Sequence, residues 1–312
     1  MSGRLTLLGP QRLAPTLGDT LASLAVPPDA PVATVTAGWQ EREPDDAELD
    51  AHLGGRSINL ALYRRVAEAF ERDREFETAF RSRQAMLRRM QGLYRVRLDA
   101  GHTACHALLA MTGDDAPLVV ERAAAIEALR DLDRRHLARV AEVHAEFESR
   151  WRPGERESLA RARAGVARIL GGVAALAIAG GHVAVLLNRL RLLDVGVRAR
   201  DMTVVAWSAG AMAVSDTVVL FHDDPPHGPG HPETFELGLG LAPAIVPLPH
   251  ARHRLRLSDT ARVSIAALRF APGACVPMDE NARMDWDGAR WTPADGTRRL
   301  AGDGAVQAWS AA

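Results

Sequence analysis

Val204-Val205-Ala206-Trp207-Ser208-Ala209-Gly210-Ala211 is the most informative segment of the chain. A short apolar run predicts a buried strand over Met202 to Trp207, and small residues then open a helix directly after Ser208. A tight strand-to-helix turn of this kind exposes the serine hydroxyl, and it needs small neighbours because the backbone is strained and comes close to other chain. The helix start also points free N–H groups at the turn, where a developing oxyanion can be held. On its own the string is equally the signature of an ordinary turn, so the segments around it carry the decision.

Working outward, Val173 to Ala179 reads as a second buried strand, ending in Ile178-Ala179-Gly180-Gly181-His182, with a helix over Val183 to Leu193. Val218 to Phe221 and Val263 to Phe270 read as further strands. Near the N-terminus, Leu5 to Leu8 is a short apolar run stopped by Gly9-Pro10. A helical stretch follows near Leu13 to Leu24, then the strand-like Val32 to Thr36 and a polar loop, Ala37 to Pro44. Strands alternating with helices predict a mostly parallel sheet flanked by helices on both faces. Between these parts, Leu60 to Leu170 reads as helix almost throughout. Phe76, Phe80, Leu87, Met90 and Tyr94 fall at helical spacing, as do Ile126, Leu129, Leu132, Val140, Val143, Phe147 and Trp151. Breaks are expected at Thr112-Gly113-Asp114-Asp115 and Arg152-Pro153-Gly154. The last forty residues hold short β pieces around Trp286, Trp291 and Trp309. The expected organisation is an α/β domain from 1–56 and 171–312, with a helical insertion at 57–170.

Composition sets the bounds. The chain has 312 residues, 47% hydrophobic and 25% charged, enough to bury a core without disulfides or a structural metal. A net charge of -1 argues against a nucleic-acid surface. No run approaches ~18 apolar residues, so no membrane span is expected, and Met1 to Pro10 does not read as a secretory signal. Cys105 and Cys275 are not in a paired metal spacing, which leaves the cytoplasm as the expected location. All basic residues are arginine, so a lysine base is ruled out.

Two further segments bear on chemistry. A polar loop with His222, Asp223 and Asp224 follows one predicted strand. Gly238-Leu239-Gly240-Leu241 leads through an apolar run to Pro249-His250. A serine, an acid and a histidine at strand ends on one sheet edge are what nucleophilic acyl transfer requires. His222, His227 and His231 with the two aspartates invite a metal, but their Pro- and Gly-rich surroundings read more simply as a loop over the site. His102 and His106, four apart with no third ligand in view, read as packing residues. No metal and no cofactor are expected.

The run from Ala179 to Ala211, with Gly238 to His250 after it, resembles the peptidase E and cyanophycinase family of serine peptidases, which has a class I glutamine amidotransferase-like fold. The resemblance covers roughly residues 3 to 38 and 173 to 275. It implies Ser208 as nucleophile, His250 as general base, and Gly181 with the N–H of Ala209 as oxyanion hole; Asp223 falls where the family carries a triad aspartate, with Asp224, a glutamate or a peptide carbonyl as the alternatives. Trp39, Gln40, Glu41, Arg42 and His182 are candidate substrate-facing residues. The sequence departs from the family at Ala206, Ala179 and His182 and in the helical block, which is read as a partner surface, a homodimer contact or a cover over the site. The expected function is cleavage of an amide bond in a peptide or small amide. The alternative is a catalytically idle scaffold of the same fold. An α/β-hydrolase esterase is disfavoured because no histidine follows His253, and a glutamine amidotransferase because its elbow needs cysteine where Ser208 stands.

Overall fold

The computed structural model describes residues 3–225 and 230–309. In chain order the first half comprises β1 (Leu5–Leu8), α1 (Leu17–Ser23), β2 (Val32–Val35), α2 (Ala47–His52), β3 (Ser57–Asn59), α3 (Leu62–Arg72), α4 (Arg74–Ala110) and α5 (Ala116–Trp151). The sheet then resumes with α6 (Glu157–Leu170), β4 (Ala175–Ile178), α7 (Val183–Leu192), α8 (Val195–Ala199), β5 (Thr203–Trp207), α9 (Ala209–Val214), β6 (Thr217–Leu220) and β7 (Glu233–Leu237). The remainder is β8 (Ile245–Pro249), α10 (Ala251–Arg254), α11 (Thr260–Phe270), β9 (Ala274–Met278), β10 (Arg283–Trp286), β11 (Trp291–Pro293), β12 (Arg298–Leu300) and β13 (Val306–Ala308).

The main sheet has the order β11-β10-β1-β5-β4-β2-β3. β1, β5, β4, β2 and β3 are parallel, and β10 and β11 join antiparallel. Side-chain alternation assigns the faces: Leu176, Ile178, Val204 and Ala206 enter one core, and Ala175, Ala177, Val205 and Trp207 the other. Burial on both faces is why β4 and β5 read as continuous apolar runs rather than alternating ones. The chain is therefore an α/β protein with a mostly parallel sheet flanked by helices, a long helical region and short C-terminal strands. Among the described residues no helix is long and apolar enough to cross a membrane.

The helical block differs in extent from the sequence expectation. Ser57–Asn59 is the edge strand of the sheet, parallel to β2, and α3 and α6 pack against each other beside it. What departs from the sheet is the hairpin of α4 and α5, each about 55 Å long at 1.5 Å per residue. Its turn falls at Met111–Asp115, where the Asp115 carboxylate accepts from the Leu118 N–H and caps α5. The middle of the hairpin is fastened by Arg269 of α11, whose side chain is fully buried. It donates to Asp133 on α5 (2.7 Å), to the Tyr94 hydroxyl on α4 (2.7 Å) and to the Pro232 carbonyl (2.6 Å). Arg269 belongs to a segment that the apolar run Val263–Phe270 had predicted as strand. It is helical: the Asp259 carboxylate caps its N-terminus at the Arg262 N–H, and Thr260–Phe270 forms α11.

Candidate active site

The sheet brings Ser208 and the loops after β2 and β4 to the carboxyl ends of its central parallel strands, where open α/β sheets bind ligands. β5 ends at Trp207, and Ser208 follows with φ 51° and ψ -126°, a conformation that few non-glycine residues adopt. The chain turns there directly into α9. Gly210 makes the turn possible: a Cβ at that position would lie 2.3 Å from the Ile178 carbonyl oxygen and 3.0 Å from that of Ala179. The Ser208 side chain is thereby presented, part-exposed, beside the end of β4.

The loop after β4 closes on it from the other side. A Cβ on Gly180 would meet the Ser208 Cβ at 2.6 Å and the Ala209 nitrogen at 3.2 Å, so the glycine backbone lies directly against the elbow. Gly181 sits at φ 115° against the Gly38 carbonyl, which accepts from the His182 N–H at 2.7 Å. Two loops, after β2 and β4, are thus interlocked through glycines around the serine. Among the described residues, the N–H groups of Gly181 and Ala209 donate to no protein acceptor, leaving them available to an oxyanion.

His250 arrives from a second unit, the parallel pair β8–β9. It follows Pro249 at φ 57° and ψ 37°, its N–H donates to the Met278 carbonyl at 3.2 Å, and its Nε2 is 3.3 Å from Ser208 Oγ. Burial, together with the nearby Arg254, holds its pKa below the ordinary 6.5, while Asp279 and Glu280 pull the other way. The ring is therefore neutral at neutral pH and able to take a proton from the serine.

The expected acid is elsewhere. Asp223 is buried, but its carboxylate accepts from the Arg256 N–H at 2.7 Å and from Arg262 at 3.0 Å, and it has no hydrogen bond to His250. Asp224 pairs with Arg256. Among the described residues no carboxylate hydrogen-bonds His250; the acid that most favours charge on its ring is Asp279, the first residue after β9, with the exposed Glu280 beside it. Its side chain is largely buried and accepts from the Arg252 N–H at 3.1 Å. A signal for it was present in the sequence: an apolar run, Cys275–Met278, delivers an acid at its carboxyl end just as Ile245–Pro249 delivers the histidine.

The loop after β2 holds the candidate substrate-facing residues in varied settings. Trp39 packs against the core face containing Val205 and Trp207. Gln40 has φ 60° and ψ -122°, a second strained non-glycine residue close to that of Ser208 in both angles. Glu41 accepts from the Tyr63 hydroxyl at 2.6 Å, which lowers its pKa, and Arg42 pairs at the surface with Asp45. His182 caps α7, its Nδ1 accepting from the Val185 N–H, and its side chain is exposed. The loop is held from beneath by Glu43, whose buried carboxylate accepts from the Tyr63 and Arg64 N–H groups at the start of α3.

Three histidines kept apart in the sequence reading come together: His231 joins His102 and His106. His227 lies outside the described residues.

No protein-family model and no curated protein matches the chain. Among solved structures it is similar to one described as the crystal structure of a peptidase from an acI-B1 Actinobacterium. The identity is 14% and the TM-score 0.46, over 100% of this chain and 95% of the other. A likeness that distant transfers no residue roles.

Proposed function

We propose that the protein is a serine hydrolase that cleaves an amide bond in a peptide or small amide through a Ser208 acyl-enzyme. The observation that carries this reading is the strained Ser208 with its Oγ 3.3 Å from a neutral His250 imidazole. The separation is slightly long for an O–H···N bond, as is common before substrate is bound. In the proposed reaction the Ser208 oxygen attacks the amide carbonyl carbon while its proton passes to His250 Nε2. The N–H groups of Gly181 and Ala209 hold the resulting oxyanion. His250 then protonates the departing amine as the C–N bond breaks, and water, deprotonated by the same imidazole, releases the acyl group. Asp279, in place of Asp223, stabilises the imidazolium by its charge.

Intact-mass labelling with a small fluorophosphonate tests this without a known substrate. One adduct on the wild type, absent from Ser208→Ala and slowed in His250→Ala, is the expected result. A folded wild-type protein that takes no adduct refutes the reading in favour of an idle scaffold.

A further inference from the structure

Apart from the serine site, the densest grouping of chemistry-bearing side chains lies where the helical hairpin meets the body. His102 and His106 stand one turn apart on α4, and His231 lies just ahead of β7. One ring nitrogen from each falls within 4.8 Å of the other two. The rings of His102 and His231 stack with centroids 4.1 Å apart, and His106 lies 6.2 and 6.1 Å from them. His102 is only 3% exposed, and its Nδ1 has no hydrogen-bond partner; the buried Nδ1 of His231 has none either. Two unpartnered imidazole nitrogens in one buried spot are costly unless something binds them. All three histidines line a cavity with Asp223, Arg262 and apolar residues of α11.

We propose that His102, His106 and His231 form a binding site for a divalent transition-metal ion of the zinc class, which staples the long helical hairpin to the segment leading into β7. Two histidines four apart on one helix face, completed by a third from elsewhere, present a facial set of imidazole donors, which suit zinc rather than magnesium or calcium. Zinc bonds of about 2.0–2.1 Å in a tetrahedron set donor atoms about 3.3 Å apart with the metal in the plane of each ring, so the stacked His102 and His231 rings turn out of their parallel arrangement on binding.

The surrounding charges are compensated. Arg262 is paired with Asp223, and Arg269 with Asp133; Asp99 and Asp259 also face the cluster and favour positive charge on His231 and His106 respectively. His102 Nε2 lies 3.1 Å from the Arg269 guanidinium, so the metal takes the unpartnered Nδ1. The single ring proton then moves from Nδ1 to Nε2. The Nε2–H and the guanidinium are then both donors, so the ring turns away from Arg269, which keeps Asp133, Tyr94 and Pro232. Asp223, already engaged by Arg256 and Arg262, leaves the fourth position to water.

The test is calorimetric titration of the full, chelator-stripped chain with zinc alone, with cobalt(II) absorption as a second readout. Expected are one equivalent of zinc, an intense tetrahedral cobalt spectrum, and a thermal midpoint raised by zinc and restored by chelator. His106→Ala and His231→Ala alter half-buried rings and leave the fold intact. Each weakens zinc binding by about 100-fold, at least what loss of an outer-shell partner costs, and removes the tetrahedral cobalt bands. His222→Ala, at an exposed ring, changes neither. Absence of binding, binding unaffected by the two cluster variants, or a weak octahedral cobalt spectrum overturns the proposal.

Discussion

Gly180→Ala isolates the contact on which the proposed catalytic geometry depends. The added Cβ would sit 2.6 Å from the Ser208 Cβ, against about 3.4 Å for an ordinary contact, so the two segments must separate by about 0.8 Å. Neither side yields easily. Ser208 is held at positive φ between β5 and α9, and Gly181 is locked against Gly38. Overpacking of this kind costs about 1–3 kcal/mol of stability. The kinetic effect is larger in proportion, because misplacing a reacting group by ~1 Å costs on the order of 100-fold. The same shift moves Ala209, and with it one N–H of the oxyanion hole, which adds to the loss. The assay is the second-order rate of fluorophosphonate adduct formation by intact mass, with a thermal melt on the same sample. The expected variant is folded, melts a few degrees lower and labels about 100-fold more slowly. A variant that labels at the wild-type rate would show that the glycine loop does not govern the nucleophile, and the oxyanion assignment would fall with it.

The labelling rate depends on pH through His250, whose neutral form is the base. Because burial and Arg254 disfavour the imidazolium, the rate is retained down to a pH below 6.5 and falls only beneath it. Asp279→Asn removes an acid that raises this pKa, so its rate profile shifts to still lower pH even as the maximum rate drops; a shift to higher pH refutes the pairing. Asp133→Ala strands the buried Arg269 charge and costs about 3–5 kcal/mol by denaturant titration. Gly92→Ala lies mid-helix on α4 with open space at its Cβ position, so it stabilises by about 0.5–1 kcal/mol and leaves labelling unchanged.

What the sequence disclosed and what it hid follow from the range of the interactions involved. The elbow was legible because its causes are local: an apolar strand, a serine and small residues in eight consecutive positions. The two long helices were legible from periodicity, with Phe76, Phe80, Tyr94, Ile126, Leu129 and Phe147 all buried. Val263–Phe270 misled because a short, almost wholly apolar run carries no clear period, and the capping Asp259 was the better guide. That one error had a consequence for the site. Read as a strand, the segment gave no hint that Arg262 at its start would occupy Asp223, so Asp223 looked free to serve the histidine. The histidine cluster was out of reach for a different reason. Placing His231 on His102 and His106 depends on how the hairpin docks, and that is fixed by Arg269 reaching α4 and α5 at once, which no local pattern encodes.

Packing around the elbow bears on whether it is idle. Ala206 and Ala179, which lie beside it, are fully buried at ordinary negative φ, so their methyl groups cost no backbone strain. The glycines around it are those a side chain would break. Gly181 needs its positive φ, and at Gly180, Gly181, Gly210 and Gly38 a Cβ would meet neighbouring atoms at 2.3–2.6 Å. Ser208 holds φ 51°, where a glycine would relieve the strain. Strain and close glycine packing thus fall together at the elbow, where the proposed reaction uses them.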